Sequence, residues 1–209
     1  LAHLLGGAPD GHHELVTALI EAGARRRREA SVMAYDLDAS PPPADWAEPP
    51  IAAGLRYTPI GDDMEAMYDA YVDAYPPGHP DSHGGNARRS FDNELVPLIR
   101  DEILGPLLPA SGWVVDTAAP GRAVAVVVIN DRPDEGPWIS EVFRDPDPRY
   151  AGTGTALLRR ALWHAADAGL RTVGLAVATG NPAQQVYARL GFRTISTALN
   201  CIIPGELPG

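Results

Sequence analysis

Two short stretches concentrate residues whose types and spacing can do chemistry. The first runs Arg144-Asp-Pro-Asp-Pro-Arg149-Tyr-Ala-Gly152-Thr-Gly154-Thr-Ala-Leu-Leu and joins a strand pattern to a helix pattern. Small residues at a helix start leave its first backbone N–H groups open, and those groups, with the positive end of the helix dipole, suit a pyrophosphate. Gly152 and Gly154 lack a Cβ, so a ligand can approach closely; Arg149 adds a cation beside the phosphates. Alone, Gly-x-Gly after a strand equally describes a turn with a helix cap. A dinucleotide fingerprint would need a third glycine where Leu157 stands, and a P-loop needs a lysine, which the chain lacks. The second stretch is Asn181-Pro-Ala183-Gln-Gln-Val-Tyr187-Ala-Arg-Leu-Gly191-Phe192. A third, His79-Pro-Asp81-Ser-His83, carries two imidazoles and a carboxylate, but nothing else completes a ligand set, so it reads as a solvated loop without metal. Cys201 has no histidine neighbour in sequence and reads as packing.

The elements that must position these residues follow from periodicity. Glu14 to Arg28 has a helical stripe (Leu15, Ala18, Leu19, Ala22) ended by Gly23, which makes the charge run Arg25 to Arg28 a solvated helix end; Glu29 to Leu37 is a strand. Ala39 to Pro50 is a proline-dense, extended linker. Leu55–Ile60 is a strand, and Asp62 or Asp63 caps a helix running to about Tyr75. Pro76 to Asn86 is a loop, and Phe91 to Leu107 is helical with an interruption near Pro97. Trp113–Asp116, Ala123–Ile129 and Trp138–Phe143 are strands. Thr153 to Ala168 is an amphipathic helix with Leu157, Leu158, Ala161, Leu162 and Ala165 inward. Thr172–Ala178 is a strand, Pro182–Leu190 a helix and Phe192–Ile203 a last strand region. This order predicts a mixed α/β domain with one central sheet. Residues 51–209 form that domain, and residues 1–50 an N-terminal helix–strand extension with its linker.

The extension carries a faint internal repeat. Ala22-Gly23-Ala24-Arg25-Arg26 matches Leu190-Gly191-Phe192-Arg193-Thr194, each between a short helix and a strand. Either the extension is the tail of a truncated first copy, or the match is chance in an Ala/Arg-rich chain. Its strand either covers the sheet edge or exchanges with a partner chain in a homodimer.

With 209 residues, 45% of them hydrophobic, the chain is long enough to bury a real core. The net charge of −10 disfavours nucleic acid and anionic membranes as partners. All 17 basic residues are arginine, and the chain has no lysine. The single cysteine, Cys201, excludes an internal disulfide framework. No apolar run approaches a membrane span, and Leu1 to Leu5 lack the charged lead of a secretory signal; cytoplasmic placement is the default expectation. The sequence starts without Met, which suggests that the true N-terminus lies further upstream.

Taken together, Arg149-x-x-Gly152-x-Gly154 resembles the acetyl-CoA loop of GCN5-related N-acetyltransferases (GNAT), and Asn181-x-Ala183-x-x-x-Tyr187-x-x-x-Gly191-Phe192 resembles the family's second conserved stretch at the expected distance. The resemblance covers roughly Leu55 to Ile203. It implies a GNAT fold, a central mixed sheet flanked by helices, in which Ile139–Phe143 and Thr172–Val177 are parallel strands that splay apart. The pantetheine arm of acetyl-CoA is then expected in the gap, met by backbone groups of Val142, Phe143 and Arg144. Arg149, Tyr150, Ala151, Gly152, Thr153, Gly154 and Thr155 are expected to hold the pyrophosphate, and Asn181 and Ala183 to line the arm's other side. Tyr187 falls at the family's general-acid position, near the thioester sulfur.

The expected reaction is direct attack of a primary amine, from a small molecule or a peptide, on acetyl-CoA. A thiol with pKa around 8.5 leaves, and a tyrosine near 10 can donate to it without being ionised at neutral pH. A lysine-like amine costs about 4.6 kcal/mol to reach its neutral form at pH 7, so a base helps. Glu141, on the strand before the loop, is the carboxylate candidate, directly or through water. The acidic residue that some members carry just before Asn181 is missing, since Ala176, Thr179 and Gly180 stand there. That departure leaves a non-catalytic acyl-CoA-binding or interaction module as the alternative. Tyr150 stands where the family often has Gly; its ring either crowds the phosphates or points outward.

Overall fold

The computed structural model describes residues 17–82, 86–119 and 121–202. Seven strands form one sheet: β1 (Arg25–Asp36), β2 (Leu55–Thr58), β3 (Gly112–Asp116), β4 (Ala123–Arg132), β5 (Gly136–Arg144), β6 (Thr172–Ala178) and β7 (Arg193–Ile202). Their spatial order is β2-β3-β4-β5-β6-β1-β7. All neighbours are antiparallel except β5 and β6, which run parallel.

The apolar run Ala-Val-Ala-Val-Val-Val-Ile explains why β4 sits at the centre: a strand with no polar face must be covered on both sides. Val124, Val127 and Ile129 face one core, and Ala123, Val126 and Val128 the other. The first face is covered by α4 (Thr153–Asp167) and α5 (Ala183–Leu190), through Leu157, Leu158, Ala161, Leu162 and Leu190. Each of the α4 leucines contributes about 1.5–3 kcal/mol by burial. The second face is covered by α1 (Tyr68–Ala74), α2 (Ala87–Ser90) and α3 (Val96–Ile99), through Ala70, Tyr71, Leu98 and Ile99. No helix among the described residues is long and apolar enough to cross a membrane.

Three expectations need correction. The helix foreseen over Phe91–Leu107 stops at Ile99. Phe91–Leu95 forms a π turn before Pro97, which lacks the amide hydrogen that a regular turn would use. Beyond it, Asp101 (φ 61°) and Leu104 (φ 60°) adopt left-handed conformations that a helix cannot continue through. The N-terminal helix is described over residues 17–21 and ends before Arg25, so Arg25 to Arg28 lie on β1 and not on a helix end. Gly23 (φ 90°) terminates that helix, with bonds from Gly23 N to Ile20 O and from Ala24 N to Leu19 O.

The third correction concerns the position of the extension's strand. β1 does not cover an edge: it lies inside the sheet, pairing with β6 from Ala30↔Ala178 to Asp36↔Thr172 and with β7 from Arg25↔Ile202 to Ala34↔Arg193. β7 takes the edge instead. The two halves of the faint repeat thus lie side by side. α5 ends at Gly191 (φ 112°) with the same pair of terminating bonds, and the strands that follow the two glycines run antiparallel to each other.

Candidate active site

β5 and β6 are bonded only at Trp138↔Gly174 and Ile139↔Leu175. Beyond that point each strand stays with its outer neighbour, β5 with β4 as far as Arg144↔Ala125 and β6 with β1 as far as Ala178↔Ala30. The sheet therefore opens into a wedge whose walls are two strand edges. Two local features mark its apex. Ser140 is an extra residue in the β4–β5 register, a bulge that turns the strand locally. The Trp138 ring lies against Gly174, where an added Cβ would sit 2.5 Å from Cε3; only glycine admits the indole here. Unpaired strand edges at this spacing accept an extended ligand arm by main-chain hydrogen bonding.

Glu141 follows the bulge directly and is half-buried. Its Oε1 accepts from the Tyr75 hydroxyl and from the Val142 N–H (3.2 Å), and Tyr75 also donates to the Val142 carbonyl at 3.2 Å. The backbone of Val142 thus meets Glu141 and Tyr75. Phe143 packs its ring in the second core, against Tyr71 at 5.4 Å. Tyr187, on the inner face of α5, is 7% exposed and packs edge-on against Phe192 at 5.8 Å. Its hydroxyl has no hydrogen-bond partner among the described residues. Burial first, and the Glu141 charge second, hold that hydroxyl above the ordinary tyrosine range. It therefore stays protonated at neutral pH and can only donate. Tyr75 is raised well above its usual range by the same two causes in the same order.

The loop after β5 is built by its aspartates. Asp147 N–H donates to Asp145 Oδ1 at 2.8 Å, Arg149 N–H donates to Asp147 Oδ1 at 2.9 Å, and Asp145 pairs with Arg122 at 2.6 Å. Arg144 turns its guanidinium to the Asp145 and Asp147 carbonyls. Arg149 is exposed, paired with Asp147 at 2.9 Å and stacked over Tyr150 at 5.0 Å. Gly152 (φ 82°) caps α4 in a left-handed conformation, and a Cβ there would meet nothing within 4 Å. The first N–H groups of α4, at Thr153, Gly154 and Thr155, have no acceptor within the helix. The Thr153 side chain itself is buried, and a Cβ on Gly154 would touch Arg144 at 3.5 Å.

Tyr150 takes neither of the two orientations expected of it. Its ring is 1% exposed in the first core, and its hydroxyl donates to Asp116 Oδ2 at 2.8 Å. Its N–H donates to Asp147 O and that of Ala151 to Pro148 O, so both amides serve the turn itself. On the other wall, Asn181 Oδ1 accepts from Ala183 N–H at 2.8 Å and Asn181 Nδ2 donates to Asp81 Oδ2 at 2.6 Å. The loop after α1 is thus tied to both walls, through Tyr75 on β5 and Asp81 beyond β6. His79 Nδ1 accepts from Asp81 N–H, and its ring stands edge-on to Tyr75 at 5.2 Å. His83 lies outside the described residues. Among the described residues no group of three or more His, Cys, Asp and Glu side chains is placed to hold a metal ion. Tyr75, Ser140 and the Trp138–Gly174 contact were not singled out by sequence, and Asp81 was read only as part of a solvated loop; Tyr75-Pro76 marked only a helix end.

The parallel pair thus splays after two rungs, and the chain leads from β5 into a glycine-capped helix. The chain belongs to the acetyltransferase (GNAT) family, whose family model matches residues 64–192. It is 32% identical over 199 residues to a mycothiol acetyltransferase of Saccharomonospora viridis, with 90% of this chain covered. The chain spans about 60% of the length of that curated relative. Among solved structures it resembles a GCN5-related N-acetyltransferase from Sphaerobacter thermophilus, with a TM-score of 0.63 at 22% identity over 98% of this chain and 60% of that one. It also resembles a tandem GNAT protein from the clavulanic acid biosynthesis pathway, with a TM-score of 0.64 at 17% identity over 100% and 64% of the two chains. β1, β2 and β7 lie outside the matched segment 64–192.

Proposed function

We propose that the chain transfers the acetyl group of acetyl-CoA to a primary amine by direct attack, with Glu141 as the base and Tyr187 as the donor to the departing sulfur. The observation that carries this reading is the opening of β5 from β6 after two rungs, with Glu141 directly after the bulge on β5 and Tyr187 buried on α5, the helix that follows β6. Bound acetyl-CoA supplies an acyl group on a good leaving thiol. Its pyrophosphate is held by the N–H groups of Thr153, Gly154 and Thr155 and by Arg149, which exchanges Asp147 for phosphate. Its arm lies along the edges of Val142–Arg144 and the turn at Asn181–Ala183.

Glu141 takes a proton from the acceptor ammonium, directly or through water, and presents a neutral amine to the carbonyl; the N–C bond forms, the C–S bond breaks, and the second proton lost by the nitrogen passes to the departing thiolate or to solvent. Full proton transfer from Tyr187 to a thiolate is uphill by more than about 2 kcal/mol, because a tyrosine raised above 10 is a weaker acid than a thiol near 8.5. Tyr187 therefore acts as a hydrogen-bond donor that stabilises the developing negative charge on sulfur. The relative from Saccharomonospora viridis is a mycothiol acetyltransferase, so a mycothiol-related amine heads the acceptor panel, followed by simple primary amines and peptides.

The test is acceptor-dependent release of free CoA, alongside calorimetric titration with acetyl-CoA. Saturable release that collapses in Glu141→Gln supports the reading. One-site binding without transfer to any amine favours the acyl-CoA-binding module instead, and absence of binding removes both.

A further inference from the structure

We propose that Tyr75 is a positioning residue for the reaction: its hydroxyl, clamped between Glu141 Oε1 and the Val142 carbonyl, orients the Glu141 carboxylate for its work as the base. This rests on the reading of Glu141 given above.

The placement follows from local structure. α1 ends at Ala74, and Tyr75 leaves helical geometry with φ −123° and ψ 64° while its N–H still bonds to Val72 O. Pro76 explains why the helix stops there, since the residue before a proline avoids the helical region. The ring is then held by Tyr71 (centroids 5.7 Å, edge-on), by His79 (5.2 Å, edge-on) and by Phe143 (6.5 Å). A rigid ring fixed on three sides carries the hydroxyl to β5 just beyond the Ser140 bulge.

Two consequences follow for Glu141. A free glutamate has several rotamers to lose, whereas this one meets a donor already in place, so its ordering is settled before substrate arrives. Hydrogen bonding to the charged form favours that form, and so opposes the effect of partial burial, which favours the neutral acid. Oε1 receives both the Tyr75 hydroxyl and the Val142 N–H, so two donors hold the carboxylate in one orientation. The Tyr75 hydroxyl keeps its own proton throughout, and no net proton moves to or from it.

The variant that tests this is Tyr75→Phe, which removes one oxygen and retains every ring contact. The groups facing Glu141 and Tyr75 are Tyr71 on α1, Tyr187 on α5 and His79 in the loop between, with Glu94 acting on Tyr71. Burial and the Glu141 charge raise the tyrosines above their ordinary range, and an acidic limb of kcat/KM that disappears from the residual activity of Glu141→Gln is assigned to Glu141. Losing a donor to the carboxylate raises the Glu141 pKa, and the limb in Y75F moves to higher pH by about one unit. At neutral pH kcat falls about tenfold or more, the KM for acetyl-CoA stays within threefold, and Tyr75→Phe has no further effect in the Glu141→Gln background.

A wild-type limb in Y75F together with an inactive E141Q overturns the role of Tyr75 and leaves Glu141 as the base. Wild-type turnover in E141Q overturns the base itself and this inference with it. If Y75F melts far below wild type, Tyr75→Trp, which keeps a ring and an N–H donor that does not titrate, replaces it; restoration of the wild-type limb by that donor supports the role, and a limb displaced in both variants alike refutes it.

Discussion

The apex of the wedge makes the sharpest physical prediction. Gly174→Ala places a methyl 2.5 Å from Cε3 and 2.7 Å from Cζ3 of Trp138, well inside carbon–carbon contact. Relief requires the indole to move by about 1 Å, and it is not free to do so, because the Arg132 guanidinium lies over its ring at 4.8 Å. Moving the strands apart instead breaks the Trp138↔Gly174 and Ile139↔Leu175 rungs, the two that hold β5 to β6. Overpacking of this kind costs about 1–3 kcal/mol, which for a chain of this size lowers Tm by about 2–12 °C. Thermal melts and chemical denaturation read the loss, and calorimetric titration reads a weaker acetyl-CoA affinity, since the apex sets the opening. In a Trp138→Val background the same alanine meets open space and costs less than about 0.5 kcal/mol, giving a coupling close to the whole single-mutant effect. Wild-type stability of Gly174→Ala, or equal costs in both backgrounds, would refute the claim that this contact sets the apex.

Other outcomes follow from the same geometry. Tyr187→Phe lowers kcat by about 10²-fold or more while acetyl-CoA affinity by calorimetry stays within threefold. Because burial and Glu141 raise the Tyr187 pKa, the protonated donor persists up to and beyond pH 10, so the wild-type rate shows no loss from its ionisation below that pH. Gly152→Ala forces an L side chain into φ 82° and puts a methyl in the open space before α4; about 1 kcal/mol of stability and roughly tenfold in acetyl-CoA affinity are lost, read by melts and titration. Asn181→Ala removes both the Ala183 N–H acceptor and the Asp81 partner, lowering stability by about 1 kcal/mol and raising the acceptor KM more than the acetyl-CoA KM in steady-state kinetics.

The sequence by itself determined those features in which the local pattern and the final environment agree. The unbroken apolar run of β4 allows only a strand covered on both faces, and the Leu157, Leu158, Ala161, Leu162 spacing allows only a helix with one buried side. Gly152 and Gly154 marked the open helix start, because a backbone that meets a ligand advertises itself by missing side chains. What the tertiary structure alone decided is everything that depends on which segments become neighbours. Periodicity identified a strand near Glu29–Leu37, but pairing partners are chosen by contacts across the whole chain, and these set β1 between β6 and β7. Tyr150 lies in the most legible motif, yet its ring turns inward because Asp116, 34 residues earlier, offers its hydroxyl an acceptor. Tyr75 and Glu141 are 66 residues apart, and Asp81 and Asn181 are 100 apart. No spacing rule links such pairs; only the assembled sheet with α1 folded against its second face brings each donor to its acceptor.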